Sequence, residues 1–337
     1  MRIDLDVARV ACAQCGANRQ SDVRFADPGR NYTRCFERYA LELSPHMTIQ
    51  DVARHLHVGW DVIKEIQRRS LSQRFRKVKV GHLRQIAIDE ISIGRGHRYL
   101  TVVLDLESGA VVFVGDGKGA EALEPFWKRL KTARAKIQAV AMDMSPSYIS
   151  AVTTHLRKAV IVFDHFHIIK LFNEKLSDLR RNLYREATEK LHKKVLKGTR
   201  WLLLKNPDNL DQSRKEPQRL KDALALNEPL ATAYYMKEDL RQVWQQPDKK
   251  AAHRVLEDWI RRAEVSGIRI LIKFAHTLAL HRNSILAYYD YPISTGPLEG
   301  TNTKIRVMQR QAYGFRDTEF FKLKIYALHE SRYLLVG

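Results

Sequence analysis

Gln85-Ile86-Ala87-Ile88-Asp89-Glu90-Ile91-Ser92-Ile93 is a β-rich run with a carboxylate at its centre and no turn-forming residue beside that carboxylate. Such a run reads as a strand. An isolated carboxylate buried in a strand is costly unless it is paired, protonated or bound to a cation. Two more short β-rich runs follow, Arg98–Leu106 and Ala110–Gly115, with Gly94-Arg95-Gly96 and Glu107-Ser108-Gly109 as hairpin turns between them. Residues 119–133 then read as a helix through Ala122, Leu123, Phe126, Trp127 and Leu130. Ile137–Met142 is a strand, 147–157 a helix, and Ala159–Phe163 another strand. A long helix follows, marked by the apolar stripe Ile168, Leu171, Phe172, Leu176, Leu179 and Leu183. Three antiparallel strands followed by helix, strand, helix, strand, helix predict an α/β fold on a mixed five-stranded sheet.

Asp143 ends the apolar run Ala139-Val140-Ala141-Met142, and Asp164 ends Ile161-Val162-Phe163. An Asp at a strand end can simply cap the next helix. Strand ends of an α/β sheet are also where ligands bind, and two acids there suit a hard divalent cation. Asp105 and Asp116 have a cheaper explanation, because both stand beside Gly-containing turns. A further acid, Glu299, lies in Thr295-Gly296-Pro297-Leu298-Glu299-Gly300-Thr301-Asn302, with Pro297 placed as a first helical residue. First-turn dipole compensation would account for Glu299 equally well.

The flanks are different in kind. Residues 47–71 read as two helices. Thr48 caps a first one with Ile49, Val52, Ala53 and Leu56; His57-Val58-Gly59 turns, with Gly59 as the stop; Trp60, Ile63 and Ile66 continue at helical spacing beside Lys64, Arg68 and Arg69. This outline fits a helix-turn-helix or an ordinary helical hairpin. Residues 190–290 contain no convincing strand, and Pro207, Pro217, Pro229 and Pro247 punctuate helical pieces, as in an all-α insertion.

With 58 Lys+Arg against 38 Asp+Glu, the 337-residue chain carries a formal charge of +20. Its basic residues alternate with apolar ones along apparent helices, which favours a nucleic acid over a membrane surface as the anionic partner. No apolar run is long enough to span a bilayer, no secretory h-region follows Met1, and three Cys make no disulfide framework. Carboxylate-held metal beside a basic surface suits phosphodiester chemistry, in which two ions about 3.5–4 Å apart bind the attacking and leaving oxygens.

At four stretches the sequence resembles the ISL-three family of bacterial insertion-sequence transposases. These are Ile88-Asp89-Glu90-Ile91-Ser92-Ile93-Gly94, Ala141-Met142-Asp143-Met144-Ser145-Pro146, Phe163-Asp164-His165-Phe166-His167, and Gly296–Asn302 continuing to Arg310-Gln311-Ala312-Tyr313-Gly314-Phe315-Arg316. The resemblance implies a DDE transposase on an RNase H-like fold, with an all-α insertion and a preceding helix-turn-helix. It implies Asp89, Asp143 and Glu299 as the catalytic and metal-binding acids, holding two Mg²⁺ or Mn²⁺ ions. Asp164 and His167 match a D-x-x-H element and take a supporting role, with Asn302 beside Glu299. Trp60, Lys64, Arg68, Arg69 and Lys304 are the candidate DNA contacts, though Asn302 and Lys304 also suit a solvated helix face. Double-stranded DNA is the implied partner, as terminal inverted repeats and target. A homo-oligomer on paired ends and a cytoplasmic, nucleoid-associated location in a bacterium follow from the same resemblance.

The expected division is 1–45, a remnant of an N-terminal zinc-binding region; 46–80, the helix-turn-helix; 84–190, the first part of the catalytic core; 191–290, the insertion; and 291–337, the C-terminal helices with Glu299. One departure stands out: the family's zinc region carries two Cys pairs, and here Cys12 and Cys15 form one. A structural zinc site needs four ligands, for which Cys35 and His46 are the available additions. This leaves a second expectation, a truncated or domesticated copy that binds DNA without catalysis. A nuclease of the same fold that never rejoins strands is a third.

Overall fold

The computed structural model describes residues 4–20, 23–94, 96–188, 195–225 and 227–330. The chain divides into two compact units, Lys79–Gly300 and Met1–Val78 with Thr301–Gly337.

In the first of these, strands β3 (Gln85–Gly94), β4 (Arg98–Asp105), β5 (Val111–Asp116), β6 (Ala139–Met142) and β7 (Val160–Phe163) form one sheet in the order β5-β4-β3-β6-β7. β3–β4 and β4–β5 are antiparallel; β3–β6 and β6–β7 are parallel. The central strands are almost wholly buried, with Ile86, Ala87, Ile88, Val102, Val103, Ala139, Val140 and Ala141 in the core. This is the mixed five-stranded sheet of an RNase H-like fold. The turn after β4 forms as the sequence indicates: Gly109 takes φ 73° and Asp105 accepts from the backbone N–H groups of Glu107 and Ser108. In the expected Gly94-Arg95-Gly96 turn, Arg95 lies outside the described residues.

Helix α4 (Glu124–Ala133) precedes β6, α5 (Pro146–His155) links β6 to β7, and α6 (His165–Glu186) leaves β7. The helical insertion follows as α7 (Arg200–Leu204), α8 (Glu216–Ala225), α9 (Glu228–Arg241), α10 (Lys249–Val265), α11 (Arg269–Leu280) and α12 (Arg282–Leu286). It is not a separate body. Phe172 of α6, Trp259 of α10 and Phe274 of α11 meet edge to face, with ring centroids 4.9–5.9 Å apart, and this trio fastens the insertion to α6. Residues 191–194 and 226 of the expected insertion lie outside the described residues.

In the other unit, α2 (Ile49–His55) and α3 (Trp60–Phe75) are the two expected helices, joined by a tight turn, and Thr48 caps α2 by accepting from the Asp51 N–H. The stop differs from expectation. His57, not Gly59, takes the left-handed backbone (φ 52°), while Gly59 is extended and caps the start of α3. A third helix that sequence patterning did not separate, α1 (Arg34–Leu43, capped by Thr33), supplies Ala40 to the core formed by Val52, Ala53, Ile63 and Ile66. Ahead of it a short hairpin pairs β1 (Arg9–Ala11) with β2 (Asn18–Gln20), and Cys12 and Cys15 lie in its turn. Helix α13 (Gly296–Gln311) begins in one unit and ends in the other, and α14 (Thr318–Tyr326) packs on α3. Among the described residues no helix is long and apolar enough to cross a membrane.

Candidate active site

The strand register aligns the acids. Ala87 of β3 lies opposite Ala141 of β6, which lies opposite Val162 of β7. Asp89, Asp143 and Asp164 each stand two positions further on: Asp89 within β3, Asp143 and Asp164 immediately after the last residues of β6 and β7, so the acids gather at one end of three adjacent parallel strands. Asp89 is close enough to feel the charges of His167, Asp143 and Glu299. Chain ends then fix two of the carboxylates: Asp143 Oδ1 accepts from Ser145 N at 2.9 Å, just before α5, and Asp164 caps α6 by accepting from His167 N at 3.3 Å. The helix-capping role foreseen for Asp164 is therefore real, and it coexists with a place in the cluster.

Glu299 arrives from far along the chain. Thr295 sits immediately before α13 and is fully buried. Its backbone N–H donates to Asp164 Oδ1 at 3.3 Å, its hydroxyl lies 3.3 Å from His167 Nδ1, and its carbonyl accepts from Glu299 N at 2.8 Å. Glu299 thus falls in the first turn of α13, with its Oε1 3.9 Å from His167 Nε2. His167 Nδ1 is 3.3 Å from Asp164 Oδ2, so the imidazole bridges the two acids. Among the described residues, Asp164, His167 and Glu299 form the group of three potential ligands whose atoms all lie within 4.8 Å of one another. Exposure falls from Glu299 (35%) through His167 (15%) to Asp164 (2%), so the cluster opens to solvent on the Glu299 side.

The charges are mutually perturbed. Burial pushes Asp89 up to about 6; the Glu90 N–H and His167 oppose this, and the like charges of Asp143 and Glu299 add to it. Burial also raises Glu299, with His167 partly offsetting it. For His167 burial acts downward, but the Asp164 hydrogen bond and the carboxylates of Asp89, Asp164 and Asp143 outweigh it, and the imidazole is raised. Asp164 goes the other way: burial is overcome by His167, His165 and the Thr295 N–H, which hold it below the usual carboxylate range. Crowded carboxylates, one of them disposed to keep its proton, are what a bound divalent cation relieves. Oxygen donors with one imidazole fit such an ion.

Behind the acids lies a polar brace. The Tyr148 hydroxyl of α5 is 3.0 Å from Thr101 Oγ1, donates to Glu90 Oε2 at 3.4 Å and accepts from Gly119 N at 3.4 Å. Burial raises this phenol to about 12. It ties α5, and with it the Asp143 turn, to the strand pair that carries Asp89.

The remaining expected residues scatter. Asn302 is buried one turn further along α13, with Lys304 beyond it. Trp60 is exposed at the start of α3, but the cations of that helix already have acidic partners. Lys64 Nζ is 3.0 Å from Asp317, Arg68 pairs with Glu65 at 2.9 Å, and Arg69 joins Glu37 and Asp27. Cys12, Cys15 and Cys35 are exposed, and among the described residues neither Cys35 nor His46 joins the Cys12–Cys15 pair in a group of three ligands.

Comparison with known proteins settles the family. A family model described as "Transposase", of the DDE class of ISL3, matches residues 86–325. A second model, the helix-turn-helix domain of transposase family ISL3, matches residues 21–71. The chain belongs to the ISL3 transposase family. It is 35% identical over 327 residues to the transposase for insertion sequence element IS1001 of Bordetella parapertussis, covering 95% of this chain and 79% of that one. It is 29% identical to the IS1557 transposase of Mycobacterium tuberculosis, covering 94% and 76%. The Drosophila P element transposase strand transfer complex aligns with a TM-score of 0.47 and 10% identity, over 92% of this chain and 95% of that chain. The ISL3 protein described here is a DDE transposase, an enzyme that cleaves DNA, and its class works with divalent metal ions. The helix-turn-helix match covers α1, α2 and most of α3, so the unexpected α1 belongs to the DNA-binding domain.

Proposed function

We propose that Asp89, Asp143 and Glu299 are the catalytic acids, holding two Mg²⁺ or Mn²⁺ ions, and that the reaction is cleavage at terminal inverted repeats followed by strand transfer into target DNA. The observation that carries this is the register line of Asp89, Asp143 and Asp164 with Glu299 delivered to it by Thr295. Ions held by these carboxylates would lower the pKa of a water or a 3′-hydroxyl and would stabilise a departing oxyanion. Asp89 supplies its carboxylate from within β3, and Asp143 from the turn just past β6, where the Ser145 N–H holds it. Glu299 supplies the third from the more open side, where the scissile phosphate enters. Asp164 stays ionised and orients His167, whose imidazole spans Asp164 and Glu299 and holds the helix that carries Glu299 against the sheet.

DNA recognition is assigned to the helix-turn-helix, with α3 in the major groove. Trp60 and Arg68 are its exposed contacts, Lys64 and Arg69 brace the helix through their ion pairs, and Lys304 meets phosphate from α13. Asn302 fixes α13 from its buried position. Two copies act on paired ends, in the cytoplasm at the nucleoid. Cys12 and Cys15, at a hairpin turn, are half of a zinc site whose completion depends on ligands from beyond that hairpin.

The test is strand cleavage on DNA carrying the element's own terminal repeat, with and without Mg²⁺ or Mn²⁺, beside Asp89→Asn. Metal-dependent nicking that disappears in the variant is expected. Binding without cleavage at any metal concentration would instead identify a copy that has lost its chemistry.

A further inference from the structure

Between α6 and α11 runs a groove of about 480 Å³. Its lining includes Lys175, Arg181 and Arg185 from α6 and Arg269 and Lys273 from α11, with Asp178 as the acid among them. Arg181 is paired with Asp178. Lys175, Arg185, Arg269 and Lys273 are exposed and have no acidic partner among the described residues. This contrasts with α3, where the basic residues are largely neutralised by neighbours. Four uncompensated cations facing each other across one cleft repel, and a polyanion lying between them relieves that repulsion.

The groove also has a direction. At about 100° per residue, Lys175, Asp178 and Arg185 lie on the same side of α6 as His167, within roughly 40° of a common line. Helical rise puts Lys175 about 12 Å and Arg185 about 27 Å along the axis from His167. One strand of duplex DNA presents a phosphate every 3.4 Å or so along its axis. A backbone leaving the carboxylate cluster along α6 would therefore reach the groove after about four nucleotides and leave it after about eight. We infer that the cleft between α6 and α11 is a track for the phosphodiester backbone of DNA, gripped by Lys175, Arg185, Arg269 and Lys273 as the strand runs from the active site. This rests on the placement of the active site given above. It adds a binding surface, lined by α6 and the insertion helix α11, to the one assigned to the helix-turn-helix.

The measurement is the salt dependence of binding to a short duplex of arbitrary sequence, using the full chain with chelator present, between about 50 and 200 mM salt. Each lost phosphate contact removes about 0.9 from the slope of log K against log salt, so Lys175→Gln/Arg185→Gln/Arg269→Gln/Lys273→Gln should lose about 3–4. If that variant fails to fold, Lys175→Gln/Lys273→Gln should lose about 2 by the same rule. Arg261→Gln, which removes a cation already paired with Asp258, should leave the slope unchanged. In cleavage assays the groove variants should raise KM and spare kcat.

A folded groove variant with the wild-type slope would overturn the track. So would an equal loss of slope in Arg261→Gln, since net charge alone would then be responsible. Tight binding of inorganic phosphate that leaves the DNA slope untouched would make the groove a small-anion site and end the proposal. A wild-type chain that binds duplex normally but never cleaves it would count against the active-site assignment and leave the groove standing.

Discussion

The backbone N–H of Thr295 donates to Asp164 Oδ1 at 3.3 Å across a sequence separation of 131 residues. Through this bond, a carboxylate that caps one helix also sets the starting point of another. Asp164 is buried and has its oxygens directed to the N–H groups of His167 and Thr295, with the His167 ring alongside. Its ionised form is therefore stabilised in place, and the first turn of α13 inherits a fixed origin. Glu299 is four residues from that origin, within the same turn of hydrogen bonding.

Removing the Thr295 hydroxyl tests this arrangement directly. Thr295→Val keeps the β-branched volume and the backbone N–H while deleting the contact to His167. Cleavage should fall about fivefold, a loss of roughly 1 kcal/mol in positioning, with a similar cost in stability. Thr295→Ser should restore most of the activity. Equal activity of all three proteins would show that His167 finds its place without the hydroxyl.

Asp89→Asn removes the carboxylate charge at the proposed metal site without changing shape. Cleavage should drop by about 10³-fold or more, as expected when several kcal/mol of charge stabilisation is lost. DNA affinity should be unchanged or somewhat tighter, because a negative charge near phosphate disappears. Loss of affinity together with activity would point to a structural role.

Metal affinity should depend on pH in a defined window. Asp89 titrates near 6 and Glu299 is raised, so protons compete with the cation below about pH 6. Mn²⁺ affinity, followed by its paramagnetic signal, should weaken by about tenfold per pH unit for each proton displaced as pH falls from 6 toward 5, and should level off above 7. An affinity independent of pH across that interval would exclude Asp89 as a ligand.

The Asp164–His167 pair makes a separate prediction about stability. The pKa of Asp164 is lowered on folding, so its contribution is present above the unfolded value near 3.9 and is lost as pH falls through the folded one. For His167 the pKa is raised, so its contribution is full below the unfolded value near 6.5 and is lost as pH rises through the folded one. The pair therefore stabilises most between about pH 4 and 6.5. Urea midpoints of wild type and His167→Asn should differ most at pH 5 to 6 or so and converge toward pH 8 or above. A constant difference at every pH would mean that packing, not charge, holds the site.

Arg69 separates bracing from DNA contact. Its guanidinium is 19% exposed and paired with a Glu37 that is 18% exposed, so Arg69→Gln should destabilise the helix-turn-helix domain by about 1–3 kcal/mol. The salt slope for DNA binding should stay as it is. A slope lowered by about 0.9, with thermal stability intact, would return Arg69 to the DNA surface.

Much of the catalytic sheet was legible in the sequence, because buried strands must be apolar and an acid inside one is conspicuous. Asp89, Asp143 and Asp164 announced themselves in this way, and the succession of strands and helices along the chain followed from the alternation of runs, though not their order within the sheet. Thr295 did not. A threonine before a Gly-Pro pair signals a helix start, but no local pattern says which distant carboxylate it will meet. The ion pairs of Lys64 and Arg69 were equally hidden, since their partners lie at Asp317 and Glu37. Helix α1 is legible in the sequence, since Phe36, Ala40 and Leu43 recur at helical spacing behind the capping Thr33, though the expected division places it in the mixed 1–45 region. At His57 the turn used a non-glycine left-handed residue, a choice that a glycine two positions later disguised.

The bond from Thr295 to Asp164 has one further consequence. The chain leaves the sheet at Asp164, builds the whole helical insertion, and comes back to the same spot at Thr295. Because those two ends are pinned together, the distance from Glu299 to Asp164 is set at the base of the excursion rather than by its length. The anchor points are thus set apart from the insertion's interior, although Phe172 of α6 still packs on its Trp259 and Phe274. Away from that packed trio, its outer loops are where length and sequence can change with least effect on the position of Glu299.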